Sequence, residues 1–374
     1  SSTAAMYSRS TSTGALTALG TPTIAAETNP RGITISPDGT SVYVANYNSH
    51  NISMYSRSTS TGALTALATP TITTGTNPYD IIISADGISV YAVNSTSDTV
   101  SMYSRNTSTG ALTALGTPTI ATGSTPEGLF ISLDGTSVYV ANNSGATVSM
   151  YSRNMSTGAL TALATPTIAA GTTPVNIVVS PDGASVYVAH YGSSNIYMYS
   201  RGAYGGALGF EAGTNESTIV MGTGASASVS LARDPNVSIT ALSSNGVGSN
   251  PLSVTISADG TSVYAANYDS DTVSMFSRDT STGALTALGT RDIATGVQPY
   301  AIAISSDGTS AYVANSSSTA SSVSLYSRNT GTGALTALAT STVAAQASPR
   351  GIAISPNSAS VYVTLGNGSV GMSN

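Results

Sequence analysis

One position in a repeated segment of the chain changes its residue type from copy to copy, while its surroundings stay nearly constant. The first copy is NPRGITISPDGTSVYVAN, from Asn29 to Asn46, and the variable position follows its proline. In chain order the seven copies place there Arg31, Tyr79, Glu127, Val175, Leu252, Tyr300 and Arg350. Arginine and glutamate bind ions and transfer protons, and tyrosine hydrogen-bonds to ligands. A fold that gathers the copies would turn this one position into a candidate ligand site.

The charged members of this set support two interpretations. Arg31 and Arg350 facing Glu127 would bind an anionic ligand, or the three would form salt bridges that neutralise one another. Glu127 and His190 are the weak candidates for acid–base catalysis. His190 replaces the asparagine that ends the segment VAN in other copies. A single histidine among tandem copies is also what sequence drift produces.

Tyrosines outside the repeated strand positions form a second set of candidate binding residues, which comprises Tyr47, Tyr79, Tyr191, Tyr268 and Tyr300. Their rings could stack on the C–H faces of sugars, or simply cover loop backbone. Asp269 and Asp271 in YDSDT are weak candidates for a calcium site, but two carboxylates fall short of a full oxygen shell. We therefore predict no metal and no cofactor.

Two markers count seven repeats in the chain. The segment MYSR begins at Met6, Met54, Met102, Met150 and Met198, and its variants begin at Met275 and Leu325. A turn of the type SPDG is centred on Asp38, Asp86, Asp134, Asp182, Asp259, Asp307 and Asn357. The first five MYSR segments are 48 residues apart, which is a typical length for one blade of a propeller.

Each repeat contains four short apolar runs separated by Gly, Asp, Asn, Ser or Pro, which predicts four strands and no helix. Asp-Gly between the first two runs indicates a hairpin. The sequence therefore predicts an all-β, seven-bladed β-propeller with four antiparallel strands per blade. In this strand order the NPxG loops and the VANYxSxx loops open on the same face. The tyrosines of SVYVA are expected to fill the space between blades: Tyr43, Tyr91, Tyr139, Tyr187, Tyr264, Tyr312 and Tyr362.

A recurring arginine lies on the opposite face, beside the Asp-Gly turns. Its copies include Arg57, Arg105, Arg153, Arg201, Arg278 and Arg328. Pairing with the turn aspartates is the expected structural role, and an exposed pair of this kind contributes only about 0–1 kcal/mol.

The two ends of the chain complement each other in strand content. The chain starts with a third and a fourth strand and finishes with a first and a second, so we predict one closing blade shared between the termini, which removes an open sheet edge. The domain prediction is one propeller over residues 1–374, with an inserted hairpin at about 202–227 and a spare C-terminal strand at about 366–374. Both additions are candidate contacts between subunits.

The quoted motifs carry a family resemblance. SPDGTSVYVAN, with NPRGI before it and STGALTAL after it, resembles the repeat of seven-bladed YVTN and lactonase-type propellers over nearly the whole chain. The resemblance implies a seven-bladed ring and, if the activity is shared, acid and base residues in the central funnel that position a lactone carbonyl and a water. Members of that group often carry His soon after the arginine of PR, whereas here Gly32 follows Arg31 and Gly351 follows Arg350.

Composition excludes several classes of function. The chain has a net charge of −6, a pI near 4.7, no lysine and no cysteine, which argues against nucleic-acid binding. No apolar run is long enough for a transmembrane helix. Sequons permit glycosylation at Asn51, Asn94, Asn106, Asn142, Asn154, Asn215, Asn236, Asn315 and Asn367.

The leading expectation is a secreted or cell-surface propeller with a structural, assembly or ligand-binding role and no complete catalytic set. Its partners would be further copies of itself, in an oligomer, filament or layer, or glycans. The alternatives are a lactonase-type hydrolase acting in the central funnel and a carbohydrate-binding module.

Overall fold

The computed structural model describes residues 2–202, 239–317 and 319–366, which form 28 strands. The first fourteen strands are β1 (Thr3–Arg9), β2 (Leu16–Ala25), β3 (Pro30–Ile35), β4 (Ser41–Asn46), β5 (Asn51–Arg57), β6 (Leu64–Thr73), β7 (Pro78–Ile83), β8 (Ser89–Asn94), β9 (Thr99–Arg105), β10 (Leu112–Ala121), β11 (Pro126–Ile131), β12 (Ser137–Asn142), β13 (Thr147–Arg153) and β14 (Leu160–Ala169). The other fourteen are β15 (Pro174–Val179), β16 (Ser185–His190), β17 (Asn195–Arg201), β18 (Ile239–Gly246), β19 (Pro251–Ile256), β20 (Ser262–Asn267), β21 (Thr272–Arg278), β22 (Leu285–Ala294), β23 (Pro299–Ile304), β24 (Ser310–Asn315), β25 (Ser322–Arg328), β26 (Leu335–Ala344), β27 (Ser348–Ile354) and β28 (Ser360–Gly366).

The strands form seven antiparallel sheets of four, so the predicted seven-bladed propeller is confirmed. Six blades are consecutive along the chain, from β3–β6 to β23–β26, and the seventh has the strand order β2-β1-β28-β27. The predicted sharing of the closing blade between the two ends of the chain is therefore also confirmed. The innermost strands contact one another around the ring, and β27 contacts both β23 and β3.

The second strand of each blade explains why the ring is tightly packed. Its tyrosine is fully buried in all seven blades. The hydroxyl of Tyr43, for example, donates to the carbonyl oxygen of Gly110 in the next blade at 2.6 Å and accepts from Nε of Arg105 at 3.0 Å. These tyrosines thus fill the space between blades, as the sequence predicts, and also hydrogen-bond across each junction.

The recurring arginines connect neighbouring blades, which the sequence did not show. Arg105 in the second blade donates to Asp38 in the turn of the first blade at 2.8 Å. The arginine side chains in such pairs are at most 2 % exposed, whereas the aspartates are 21–40 % exposed. The pairs, here called the inter-blade ion pairs, are Arg9–Asp307, Arg105–Asp38, Arg153–Asp86, Arg201–Asp134, Arg278–Asp182 and Arg328–Asp259. Because the arginines are buried, the small stability contribution that is typical of exposed ion pairs does not apply to these pairs.

The junction between the closing blade and the first blade departs from this pattern. Asn357 occupies the aspartate position there, so Arg57 lacks an ion pair with that position and keeps the other bonds across the junction, to the Tyr362 hydroxyl at 2.6 Å and to Oγ of Ser360 at 3.0 Å. Asn357 accepts from Oγ of Ser355 at 2.7 Å, as the aspartates accept from the equivalent serines. We expect Asn357→Asp to raise the free energy of unfolding by roughly 1 kcal/mol, because it supplies the missing charged acceptor for Arg57.

Urea unfolding of the wild type and of Asn357→Asp measures this change. Asn329→Asp, at a loop position already occupied by aspartate in the copy with Asp279, is the matched control and should change stability by less than the test variant. Equal unfolding midpoints for wild type and Asn357→Asp would show that Arg57 does not use the added carboxylate.

The aspartates of the inter-blade ion pairs predict a loss of stability in acid. Burial alone would raise their pKa, but hydrogen bonds from Ser132 and Thr136, with the charge of Arg201, lower the pKa of Asp134 to about 2. Equivalent partners lower the pKa of Asp259 and Asp307 to about 2. An unfolded aspartate has a pKa of about 3.9, so the folded state holds these protons more weakly.

The contribution of these aspartates is therefore complete above about pH 4 and is lost as the pH falls towards about 2. Urea midpoints measured between pH 5 and pH 2 should decline across this interval, and the decline should be smaller in Asp134→Asn, whose lower stability no longer depends on this titration. A midpoint that is constant over the interval would contradict the assignment.

Two predicted features lie outside the described residues. The inserted hairpin predicted at about 202–227 lies almost entirely outside the described residues, between β17 and β18. These two strands pair directly as the third and fourth strands of one blade. The spare strand predicted at about 366–374 also lies outside, except for Gly366, which ends β28. In the described part of the chain, no helix has the length and hydropathy needed to cross a membrane.

Candidate functional site

A β-bulge in every innermost strand brings the variable position to the central opening. In the second blade Pro78 pairs with Asn94 and Asp80 pairs with Val93, which leaves Tyr79 as the extra residue between them. The same irregularity follows the proline in all seven blades. A bulge re-aims a side chain and takes it out of the regular ladder. This is why the residue type can vary without disturbing the sheet.

The loop before each innermost strand and the loop after the second strand of the blade open on one face, as predicted. Tyr47, in the loop after β4, donates its amide to the carbonyl oxygen of Asn29 at 3.0 Å, so the NPxG and VANYxSxx loops are in contact. On this face lies a central cavity of about 280 Å³. The structure brings all seven variable residues together in its lining: Arg31, Tyr79, Glu127, Val175, Leu252, Tyr300 and Arg350.

Arg31 is held between two aromatic rings. Its guanidinium carbon lies 4.2 Å from the ring centroid of Tyr47 and 4.3 Å from that of Tyr79, and Nη1 donates to the Tyr300 hydroxyl at 3.1 Å. Among the described residues no carboxylate oxygen lies within 4.0 Å of its nitrogens, so the expected salt bridge to Glu127 is not formed. Arg31 is a buried cation, 7 % exposed, stabilised mainly by ring faces and a hydroxyl.

Glu127 is a buried carboxyl group whose pKa is shifted towards neutrality. Burial raises the pKa of Glu127 to about 7, against the lowering effects of the Arg31 charge and of hydrogen bonds with Tyr79 and Asn143. Its Oε2 atom makes no hydrogen bond to any residue in the described part of the chain. The group therefore gains or loses its proton near neutral pH.

A chain of hydroxyl groups connects the arginine to this carboxyl group. The Tyr79 and Tyr300 hydroxyl oxygens are 2.6 Å apart. Arg31 donates to the Tyr300 hydroxyl, either hydroxyl can donate within the Tyr79–Tyr300 pair, and a hydrogen bond from Tyr79 lowers the pKa of Glu127. The arrangement stabilises negative charge on Glu127 without a direct ion pair.

The other side of the Tyr300 ring faces the second arginine of the site. The guanidinium carbon of Arg350 is 5.3 Å from the Tyr300 ring centroid, and Tyr268 meets Tyr300 edge-on at 6.5 Å between centroids. Tyr268 and Tyr300 are each 8 % exposed, and Tyr191 packs against the same cluster. The tyrosines predicted to stack on sugars are therefore packed against arginines or one another, and Tyr47 and Tyr79 present their faces to Arg31.

A second carboxyl group in the cavity was missed by the sequence analysis. Asp80 lines the cavity next to Tyr79. Burial raises the pKa of Asp80 to about 6, although the amides of Ile81 and Leu129 donate to it and lower this value. A signal was present in the sequence, because the position after the variable one also changes between copies: Gly32, Asp80, Gly128, Asn176, Ser253, Ala301 and Gly351.

The close surroundings of Gly32 and Gly351, the two glycines that follow an arginine, explain why no histidine occurs at these two positions. A Cβ atom on Gly32 would lie 2.8 Å from Cα of Asp80, and one on Gly351 would lie 2.3 Å from the carbonyl oxygen of Arg31. Neither position accepts a side chain without movement of a neighbouring strand. A histidine directly after either arginine, which the resemblance noted in the sequence analysis leads one to expect, therefore does not fit here.

His190 lies away from the cavity. It ends β16, is fully buried, and does not belong to the cavity lining. Its Nε2 atom accepts from the Gly171 amide at 3.1 Å, and its ring centroid is 4.2 Å from that of Tyr197. Burial lowers the pKa of His190 to about 4. These contacts make it a packed side chain that has no access to a ligand in the cavity.

Asp269 and Asp271 are occupied with loop structure. Asp269 accepts from the side-chain amide of Asn250 at 2.5 Å, and Asp271 accepts from the backbone amide of Gln298 at 2.7 Å. Within residues 2–202, 239–317 and 319–366, no group of three or more His, Cys, Asp or Glu side chains is arranged to hold a metal ion.

The fold and the cavity together define the class of protein, a seven-bladed propeller whose variable residues converge on a cavity in the central channel. The chain matches the family described as "Lactonase, 7-bladed beta-propeller" over residues 1–76, 66–125, 117–217 and 236–296. It therefore belongs to the lactonase-type family of seven-bladed β-propellers.

Solved structures show the same fold at low sequence identity. A putative 6-phosphogluconolactonase from Bacteroides fragilis is 18% identical, with a TM-score of 0.68, covering 90% of this chain and 93% of its own. The periplasmic gluconolactonase PpgL from Pseudomonas aeruginosa is 15% identical, with a TM-score of 0.69, covering 99% of this chain and 98% of its own. A functionally unknown protein from Desulfotomaculum acetoxidans is 17% identical, with a TM-score of 0.63, covering 91% and 96%. No curated protein sequence matches the chain significantly.

These findings correct the leading expectation from the sequence. A structural, assembly or ligand-binding role without catalysis is the wrong main interpretation, because the family match covers most of the chain and favours the hydrolase alternative. That expectation depended on the lack of a complete catalytic set. It did not take into account that burial raises the pKa of Glu127 to about 7.

Proposed function

We propose that the chain is a lactone hydrolase that acts in the central cavity. The observation that carries the proposal is Glu127, a buried carboxyl group that lines the cavity with a pKa of about 7 and an oxygen without a hydrogen-bond partner among the described residues. Membership in the lactonase family supports this assignment, as do the lactonase names of the structural neighbours.

The proposed reaction opens the lactone ring with water. Glu127 accepts a proton from a water molecule, whose oxygen attacks the carbonyl carbon of the lactone. Negative charge then develops on the carbonyl oxygen, where the guanidiniums of Arg31 and Arg350 would stabilise it. The ring C–O bond breaks, the leaving oxygen takes up the proton held by Glu127, and the product is a hydroxy acid.

Acid release measured at constant pH tests the proposal. The wild-type chain at pH 7, supplied with a panel of γ- and δ-lactones, should release acid faster than the spontaneous reaction and with saturation at high lactone concentration. A rate equal to the spontaneous rate for every lactone of the panel would overturn the proposal.

A further inference from the structure

The cavity has one apolar half, which the proposed reaction does not use. Val175 and Leu252 occupy the variable positions of the fourth and fifth blades and are 4 % and 6 % exposed. They belong to one cluster of packed apolar side chains together with Val178, and Phe130 packs against it. All four residues line the cavity. A bound ligand would therefore meet a continuous apolar wall on this side.

The polar side chains of this half are engaged with the backbone. Oδ1 of Asn176 accepts from the Val254 amide at 3.0 Å, and Oγ of Ser253 accepts from the Ile302 amide at 3.4 Å. For a ligand in the cavity there remain only the side-chain NH2 group of Asn176 and the hydroxyl proton of Ser253. A polyhydroxylated sugar lactone would leave several of its hydroxyl groups without partners against this wall, and each such buried group costs free energy.

The charged side chains of the cavity come from other blades. Arg31, Tyr79 and Glu127 belong to the first three blades, and Tyr300 and Arg350 belong to the sixth and the closing blade. In a ring of seven, the boundary between the fourth and fifth blades lies opposite the first blade. A ligand whose ring is held beside Arg31 and Glu127 therefore extends its far end towards Val175 and Leu252.

We infer that the preferred substrate is a lactone that carries a short alkyl substituent, with Val175 and Leu252 as specificity-determining residues. This inference rests on the proposed lactone hydrolysis and deepens it by naming the substrate class. The cavity volume of about 280 Å³ lies near the lower limit of small-ligand pockets, which are roughly 300–1,000 Å³. It suits one small ring and a short chain.

Chain length is the variable that tests the inference. γ-Butyrolactone, γ-hexalactone and γ-octalactone share one reacting ring and differ in their alkyl chain. Burying a methylene contributes about 0.8 kcal/mol, so kcat/KM should rise about fourfold for each methylene until the cavity is full. Glucono-δ-lactone should be a poorer substrate than γ-hexalactone after correction for spontaneous hydrolysis.

Val175→Thr tests the wall itself, because it keeps the shape of the side chain and replaces one methyl group with a hydroxyl group. We expect it to flatten the dependence of kcat/KM on chain length. The matched control is Val297→Thr, at a position 43 % exposed and outside the cavity lining, which should leave the dependence unchanged. Should Val175→Thr fail to fold, the wild-type dependence on chain length still decides the question.

Binding of lactams separates this inference from the proposed function. Alkyl-substituted pyrrolidinones have the same ring shape as the γ-lactones but are not readily hydrolysed, and calorimetry with the wild-type chain measures their affinity.

Hydrolysis with a rising dependence on chain length supports both proposals. Hydrolysis that favours glucono-δ-lactone with no such dependence overturns the inference and leaves the function. Absence of hydrolysis, with lactam affinity that rises with chain length, overturns the function and retains an alkyl-bearing ring as the ligand. If the chain neither hydrolyses the lactones nor binds the lactams, both proposals are overturned.

Discussion

Replacement of Glu127 by glutamine is expected to lower kcat/KM for lactone hydrolysis by roughly 10²- to 10⁴-fold, the range that general acid–base catalysis contributes. Glutamine keeps the size of the side chain but cannot accept a proton from water. The carboxyl group lies in the cavity lining and is buried, so the loss arises from proton transfer rather than from a change at the surface. Initial rates of acid release measure the change.

The pH dependence of the wild-type chain gives a second readout of the same prediction. Because the pKa of Glu127 is about 7, its charged, basic form predominates only above that pH. We expect kcat/KM to rise with pH up to a plateau above pH 7, and Glu127→Gln to abolish this titration. A titration that persists in Glu127→Gln and disappears in Asp80→Asn would instead assign the base to Asp80, whose pKa is also raised by burial.

The control is Glu27→Gln, since Glu27 is exposed and does not line the cavity. It should retain wild-type kcat/KM and the same pH dependence. Full activity of Glu127→Gln, or an equal loss in both variants, would exclude Glu127 as the base.

The fold was predictable because every copy of the repeat is subject to the same structural constraints. In the first copy, Gly39 adopts φ 70° in the hairpin turn and Tyr43 is fully buried between blades. The same types recur at these positions in nearly every copy, so a single sequence contains several independent records of each constraint. The closing blade could be inferred from strand order alone, because the two ends supply complementary halves.

The candidate site was predictable in position but not in chemistry. The variable position correctly predicted that Arg31 and Glu127 line one cavity, and the structure places both at a bulge that releases them from the ladder. Which contacts they form depends on distances between blades that one repeat does not encode. Arg31 therefore binds the Tyr47 and Tyr79 rings rather than Glu127.

Burial was the quantity that the sequence could not supply. It raises the pKa of Asp80 and Glu127 and lowers that of His190, so it favours the carboxyl groups over the histidine as proton acceptors near neutral pH. Histidine attracts attention in a sequence because its ordinary pKa is close to neutral. In this chain the side chain with a pKa of about 7 is Glu127.

The largest expected effect on stability comes from removing a buried arginine of the inter-blade ion pairs. Arg153 donates to Asp86 at 2.8 Å, to Oγ of Ser89 at 2.9 Å and to the Tyr91 hydroxyl at 3.0 Å, all in the preceding blade. It also donates to the carbonyl oxygen of Gly135 in its own blade at 3.2 Å. We expect Arg153→Met to lower the free energy of unfolding by about 3–5 kcal/mol, the usual cost of breaking a buried pair.

The matched control for this variant is Arg291→Met. Arg291 also pairs with an aspartate, at 2.5 Å, but its side chain is 44 % exposed and its partner Asp292 is adjacent in the chain. An exposed pair contributes about 0–1 kcal/mol, so urea unfolding should separate the two variants clearly. Equal midpoints would mean that the junctions are held by the buried tyrosines and aliphatic side chains alone. A selective loss in Arg153→Met would show that the third blade is connected to the second through this arginine, on the face opposite the cavity.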